Sequence, residues 1–245
     1  MEYESDFSDE FIETSHGKIH IMHHSGNSEK LVFLHGVGAS TRTWRKIVPY
    51  LSSDYDIYLV DLLGHGKSDD PNINYDIGLQ VSVVGEAIEK MGISRPFLVG
   101  HSYGAWTAVF LALGMQAKGI VIIDPAGVKE HFEEIVNSGE EEKYKADMLG
   151  LLMKLGNREH VMRSILESDF NREYLSKDVL SRLKIPALIV WGREDNMVPS
   201  KFAQVVAGSI SKSVLKIIDG AGHDPHYTKP EEVASYLNAF VSSVG

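Results

Sequence analysis

Short apolar runs recur along the chain at Leu31–Leu34, Ile57–Val60, Phe97–Val99, Ile120–Ile123, Ala187–Trp191 and Val214–Ile218. They are mostly uninterrupted by polar residues, the pattern expected of strands buried on both faces of a parallel sheet. Between them the apolar positions step by three or four. Ile77, Val81, Val84, Ile88 and Met91 predict one amphipathic helix, and Val233, Tyr236, Leu237, Phe240 and Val241, after Pro230, predict another. Strand and helix alternate, so the expected class is α/β. Phe11–Thr14 and Ile19–Met22 flank His16-Gly17 and read as an antiparallel hairpin leading into the sheet.

One stretch breaks the alternation. From Gly127 to Arg182 there is no strand-like run, only charged sequence with Met148, Leu151, Leu152, Leu155, Met162 and Ile165 at helical spacings. An insertion of about 55 residues is too long for a loop, so a small helical subdomain over one edge of the sheet is expected. The expected division is a core of residues 1–126 and 183–245 with a helical cap over 127–182.

Composition narrows the class without changing it. With 245 residues, 43% hydrophobic and 24% charged, the chain has ordinary globular proportions, long enough for a sizeable single core. The formal net charge of −10 repels phosphate backbones, so no nucleic acid partner is expected. The absence of cysteine removes disulfides, thiol nucleophiles and Cys-based metal sites. Met1–Glu10 is acidic and lacks the basic start and apolar run of a signal peptide, and Ala105–Met115 is too short to span a bilayer. The expectation is a cytoplasmic protein, monomeric or a small homo-oligomer, with no membrane partner.

The chemistry lies after Phe97-Leu98-Val99, where Gly100-His101-Ser102-Tyr103-Gly104 leads into the small-residue stretch Ala105-Trp106-Thr107-Ala108. A G-x-S-x-G pentapeptide between a strand and a helix is the setting of a serine nucleophile on a strained turn, the glycines removing side chains that would clash there. A serine hydroxyl attacks only if a histidine takes its proton, and that histidine needs a carboxylate to fix its tautomer. Later strands supply both in order. Ala187–Trp191 is followed by Gly192 through Asp195, and Val214–Ile218 by Asp219-Gly220-Ala221-Gly222-His223. Two further carboxylates compete with Asp195: Asp124, at the end of Ile120–Ile123, and Glu194. His226 lies close to His223 but lacks its Gly-x-Gly-His setting.

From Phe11 to Val241 the chain resembles the α/β-hydrolase superfamily, in its serine-hydrolase, carboxylesterase-like branch with a helical cap. The resemblance rests on Leu34-His35-Gly36-Val37-Gly38, Asp61 through Ser68, Gly100–Gly104, Trp191-Gly192 through Asp195, and Gly220–His223 followed by Pro230-Glu231. It implies a mostly parallel central sheet flanked by helices, with the cap inserted after the sixth strand. It also implies Ser102 as nucleophile, His223 as general base and Asp195 as orienting acid, with the backbone N–H groups of Val37 and Tyr103 as an oxyanion hole. The implied reaction is hydrolysis of a small carboxylic ester through an acyl-enzyme on Ser102, with no cofactor and no metal.

Relatives constrain the alternatives. Ser102 excludes the aspartate-nucleophile dehalogenases and epoxide hydrolases, and prolyl aminopeptidases usually carry Gly-Gly-Ser-Trp-Gly. Carbon–carbon bond hydrolases of vinylogous diketones often have tryptophan after the histidine, where this chain has Asp224. They are the runner-up, and a hydrolase-like small-ligand receptor with little turnover is the rival from another class.

Other motifs carry less. Gly66-Lys67-Ser68 lacks the earlier glycine of a phosphate loop, since Asp61 stands there, and Gly36-x-Gly38 lacks the third glycine of a dinucleotide fingerprint. His16, His20, His23 and His24 read as a solvated hairpin, and Glu140–Glu142 as a solvated face. Trp106 and Phe110 are expected in the core; Trp44 either walls the pocket or packs locally.

Overall fold

The computed structural model describes residues 6–169 and 173–245. The acidic start runs through positions 1–5 and the expected helical insertion through 170–172, which lie outside the described residues. Eight strands form one sheet: β1 (Ser8–Thr14), β2 (Gly17–His24), β3 (Lys30–Leu34), β4 (Asp56–Val60), β5 (Phe97–His101), β6 (Gly119–Ile123), β7 (Ala187–Gly192) and β8 (Ser213–Ile218). Their order is β1-β2-β4-β3-β5-β6-β7-β8. The first two pairings are antiparallel and the remaining five parallel, in register as Leu34↔Val60, Val99↔Val121 and Val190↔Lys216.

The two-residue period of each strand sorts its side chains into two cores. Val32, Leu34, Leu98, Ile120, Ile122 and Ile189 point to the face covered by α1 (Ile77–Lys90) and α2 (Tyr103–Gly114). Leu31, Phe33, Phe97, Val99, Val121 and Val190 point to the face covered by α9 (Pro230–Val244) and by Trp44 and Ile47. The Asp76 side chain caps α1 by accepting from the Leu79 N–H, and Pro230 occupies the first turn of α9, where its missing N–H costs nothing. Trp44 is fully buried against Phe33 and His226, so it packs its own segment rather than walling a pocket. The outermost strand, β8, departs from the expectation of burial on both faces: it ends the sheet, and its Val214 is 50% exposed.

Between β6 and β7 the chain forms α3 (Lys129–Ser138), α4 (Glu141–Lys154), α5 (Glu159–Asp169) and α6 (Lys177–Ser181). These helices reach across the loops that follow β3 and β4. A Cβ placed on Gly38 would strike Leu152 and stand 2.8 Å from the Asn157 amide nitrogen, and the Ser164 hydroxyl accepts from the Tyr75 N–H at 2.7 Å. α7 (Ala203–Ser209) and α8 (Pro225–Thr228) complete the described helices that flank the last two strands.

The N-terminal hairpin differs from the solvated reading. His20 is fully buried, and its Nδ1–H and Nε2–H donate to Asp61 and Asp9 at 2.7 and 2.6 Å. Asp61 also accepts from the N–H groups of Thr41 and Lys67. Burial pulls the His20 pKa down, but the hydrogen bonds to Asp61 and Asp9 outweigh it, and the pKa is raised. Gly66 (φ +52°) lets the loop wrap Asp61, since any Cβ there would collide with that carboxylate. The Gly66-Lys67-Ser68 segment is thus a cradle for a buried aspartate. No described helix is long and apolar enough to cross a membrane.

Candidate active site

Ser102 sits at the junction of β5 and α2 with φ +51° and ψ −117°, a conformation L-residues rarely adopt. Close packing on both sides demands it. A Cβ on Gly100 would collide with the backbone of Ala105, and one on Gly104 with the carbonyl of Leu34. The turn is pinned from the next strand as well, because the Ser102 N–H donates to the Ile123 carbonyl at 2.9 Å.

Three expected site residues meet here. The Ser102 hydroxyl lies 2.9 Å from His223 Nε2, and His223 Nδ1 lies 2.8 Å from Asp195 Oδ2. Asp195 is fastened independently of the histidine, its Oδ1 accepting from the N–H groups of Met197 and Val198 at 2.8 and 3.0 Å. Burial alone would raise its pKa, yet the hydrogen bond and charge of His223 and those two amides hold it below the usual carboxylate value. The loops carrying the two residues are laced together: the Arg193 N–H donates to the Ile218 carbonyl, the Glu194 N–H to that of Ala221, and a Cβ on Gly192 would strike the Gly222 carbonyl.

The competing residues make other contacts. Glu194 is exposed, while His226 is fully buried with its Nε2 3.0 Å from the Thr43 hydroxyl. Asp124 is buried beside Asp195, its Oδ1 accepting from the Gly192 N–H at 2.9 Å. Of the two expected oxyanion residues, Tyr103 opens α2 directly after Ser102, and Val37 follows Gly36, where a Cβ would stand 3.1 Å from the Ser102 Cβ. Tyr103 thus adjoins the serine in sequence, and Gly36, the residue before Val37, lies against it in space.

One residue of the site was not anticipated. His101 is buried, and its Nε2–H donates to the His223 carbonyl at 2.8 Å, tying the Ser102 turn to the loop that carries His223. Burial and the neighbouring His226 and His223 hold its pKa well below the usual value, so the ring is neutral. A polar residue ending an otherwise apolar strand was the available signal.

Among the described residues, two groups bring metal-ligating atoms within 4.8 Å of one another: His101, Asp224 and His226, and Asp124, Asp195 and His223. In the first, His101 Nε2 and His226 Nε2 already have partners in His223 and Thr43; the second contains the partners of Ser102.

Over 274 aligned residues the chain is 24% identical to monoacylglycerol lipase abhd6-A of Xenopus laevis, covering 96% of this chain and 80% of that protein. It is 26% identical to a 2-hydroxy-6-oxononadienedioate/2-hydroxy-6-oxononatrienedioate hydrolase of Burkholderia vietnamiensis, with 84% of each covered. The crystal structure of a bacterial membrane phospholipase A superposes with a TM-score of 0.82 at 24% identity, covering 99% of this chain and 88% of that one. The family model described as the alpha/beta hydrolase family matches residues 31–236, most of the chain and all three of the residues that meet at Ser102, and the protein belongs to that family.

Proposed function

We propose that the protein is a serine hydrolase that cleaves small carboxylic esters through an acyl-enzyme on Ser102. The observation that carries this reading is the continuous relay from the Ser102 hydroxyl through both nitrogens of His223 to Asp195. His223 Nε2 takes the hydroxyl proton as the Ser102 oxygen bonds to the ester carbonyl carbon, and the resulting oxyanion is met by the N–H groups of Val37 and Tyr103. Each such donor is worth about 3 kcal/mol in transition-state stabilisation. Collapse breaks the carbon–oxygen bond, and the alcohol leaves with the proton from His223. Water then gives a proton to His223 as its oxygen attacks the acyl carbon; collapse breaks the bond to the Ser102 oxygen, which takes that proton back from His223, and the acid is released. Asp195 remains ionised throughout, holding the Nδ1–H tautomer and stabilising the imidazolium.

In this reading the helices between β6 and β7 are a cap over the site, since Leu152 and Asn157 press on the loop carrying Val37. The reading also comprises a cytoplasmic protein, monomeric or a small homo-oligomer, that works on dissolved substrate; its net charge of −10 disfavours anionic lipid and nucleic acid.

A fluorophosphonate probe is expected to label the protein once, at Ser102, and labelling that survives Ser102→Ala removes the proposal. A panel of activated esters, amides, lactones and vinylogous diketones, run on purified protein, then ranks the substrates. The second reading, carbon–carbon bond hydrolysis, is favoured by the similarity to the Burkholderia hydrolase. It prevails if the diketones turn over faster than the esters. Ligand binding with no turnover of any member would identify a receptor instead.

A further inference from the structure

Two buried carboxyls share one corner of the site, and the hydrogen-bond arrangement leaves room for only one negative charge. Asp195 lies on the loop after β7 and accepts three N–H groups, from Met197, Val198 and His223. Asp124 ends β6 and is fully buried with φ +40°, a strained backbone for a non-glycine residue. It is clamped to the strand leading to Asp195: its N–H donates to the Val190 carbonyl at 3.1 Å and its Oδ1 accepts from the Gly192 N–H at 2.9 Å. Its other oxygen, Oδ2, is buried and meets no donor. Ligand atoms of Asp124, Asp195 and His223 all fall within 4.8 Å of one another. Two carboxylate oxygens facing each other away from water repel, and a proton between them turns the repulsion into a hydrogen bond.

We propose that Asp124 is a positioning residue: a neutral carboxylic acid whose Oδ2–H donates to the Asp195 carboxylate and holds it in register with His223 Nδ1. The proposal rests on the reading of Ser102, His223 and Asp195 as the reacting set. The groups that act on Asp124 are Asp195 on the β7 loop and His223 and Asp224 on the β8 loop, and its partner strand contributes the Gly192 amide. Burial, then the charge of Asp195, pushes its pKa well above the ordinary value, in the direction the geometry requires. A carboxyl that merely braced the backbone would need only Oδ1. The unsatisfied Oδ2 beside the acid is what a bracing role leaves unexplained.

Infrared difference spectroscopy of wild type against Asp124→Asn at neutral pH tests the protonation directly. A protonated-carboxyl C=O band present in wild type and missing from the variant is expected; its absence overturns the proposal. This readout needs no turnover, so it stands apart from the fluorophosphonate test of Ser102. The kinetic test uses two variants. Asp124→Asn keeps both an acceptor for Gly192 and a donor to Asp195, so kcat should stay within about threefold of wild type with the acid limb of kcat/KM unmoved. Were Asp124 ionised, the amide would remove a negative charge beside His223 and that limb would move down. Asp124→Leu removes the donor, and kcat should fall at least about tenfold with the limb moved up, as Asp195 becomes more basic. Unchanged kinetics in the leucine variant would overturn the proposal. If that variant does not fold, the infrared band and the asparagine variant still decide it.

Discussion

His101 Nε2 stands 2.8 Å from the backbone carbonyl of His223, so the residue before Ser102 anchors the loop that carries the histidine partner of Ser102. Replacing His101 by phenylalanine keeps an aromatic ring in the strand but leaves that carbonyl without its donor. An unmet buried acceptor costs about 1–3 kcal/mol. If His223 drifts to recover part of that, kcat should fall roughly 10- to 100-fold with KM little changed. Steady-state kinetics check this, and a rise in KM at constant kcat would show that the contact serves substrate binding instead. Because His101 is held neutral, the pH profile of the wild type should carry no inflection from it.

The strain at Ser102 predicts a trade of activity for stability. Ser102→Ala should abolish ester hydrolysis and leave the fold intact, since alanine keeps the Cβ that the turn already accommodates. Ser102→Gly should abolish it too, and raise stability. A non-glycine residue in such a conformation costs on the order of 1–3 kcal/mol, against roughly 0.5–1 kcal/mol for the extra chain entropy of glycine. A net gain of about 1 kcal/mol is expected in denaturant titration. A glycine variant less stable than wild type would mean that φ +51° is held without strain.

The identity of the acid follows from paired substitutions. Asp195→Asn should lower kcat by about four orders of magnitude by disturbing the His223 tautomer. Asp124→Asn should cost far less, because it is Asp195 that bonds His223 Nδ1, whereas Asp124 faces Gly192 and Asp195. The reverse ranking would move the acid to Asp124.

Much of this was legible in the chain itself, and the exceptions share a cause. The inner strands stand out because both faces are buried, so Ile120–Ile123 has no polar interruption to hide it. β8 carries the same kind of apolar run with Lys216 inside it, and the lysine marked an edge that the surrounding residues obscured. Ser102, Asp195 and His223, which the structure brings together, are picked out in the sequence because each follows a strand in a fixed order. Their separations of 28 and 121 positions show why composition alone could not join them. His20 was read as solvated for the complementary reason: its partner Asp61 is 41 positions away, across the pairing of β2 with β4. Local sequence reports which face a residue lies on, whereas a buried polar residue is explained only by a distant partner.

The His20 cluster makes stability depend on pH with a definite sign. The raised pKa of His20 means that its contribution is complete below the unfolded value of about 6.5 and is lost as pH rises through the folded value. Asp61 and Asp9 are shifted the other way. Burial opposes the shift in Asp61, but the His20 hydrogen bond and nearby amides lower it; Asp9 is lowered chiefly by its hydrogen bond to His20. Their contribution is present above about pH 4 and lost on acidification. The stabilising window therefore lies between about pH 4 and the folded pKa of His20. Asp61→Asn should destabilise by about 3 kcal/mol near pH 5.5, since it strands a buried imidazolium, and by less near pH 9. Urea titrations at the two pH values measure the difference, and an equal penalty at both would mean that His20 is neutral in the folded protein.

The remaining prediction concerns substrate size. Leu152 is buried against the loop that carries Val37, Met162 is fully buried, and Met148 and Met153 pack against the same core, so in the proposed reading the inserted helices present an apolar, adaptable surface to the substrate. Ser102 itself is only 6% exposed, and in the proposed reading the cap encloses it. The outer side of α4 begins with Glu140, Glu141 and Glu142, and the chain as a whole carries −10, so an anionic lipid surface repels it. Against this, Leu151 and Leu155 stand 45% and 66% exposed, in the last turn of the same helix and just beyond its end, the kind of apolar spot an interfacial lid would use. The competing features make opposite forecasts, and enclosure with charge outweighs two side chains. Short and medium acyl esters should therefore have the highest specificity constants in a p-nitrophenyl series from acetate to palmitate. The rate on a short triglyceride should pass through its solubility limit without a jump. A maximum at the longest chains, or a jump that disappears in Leu151→Gln/Leu155→Gln, would show that α4 opens onto an oil surface and that the enzyme is a lipase.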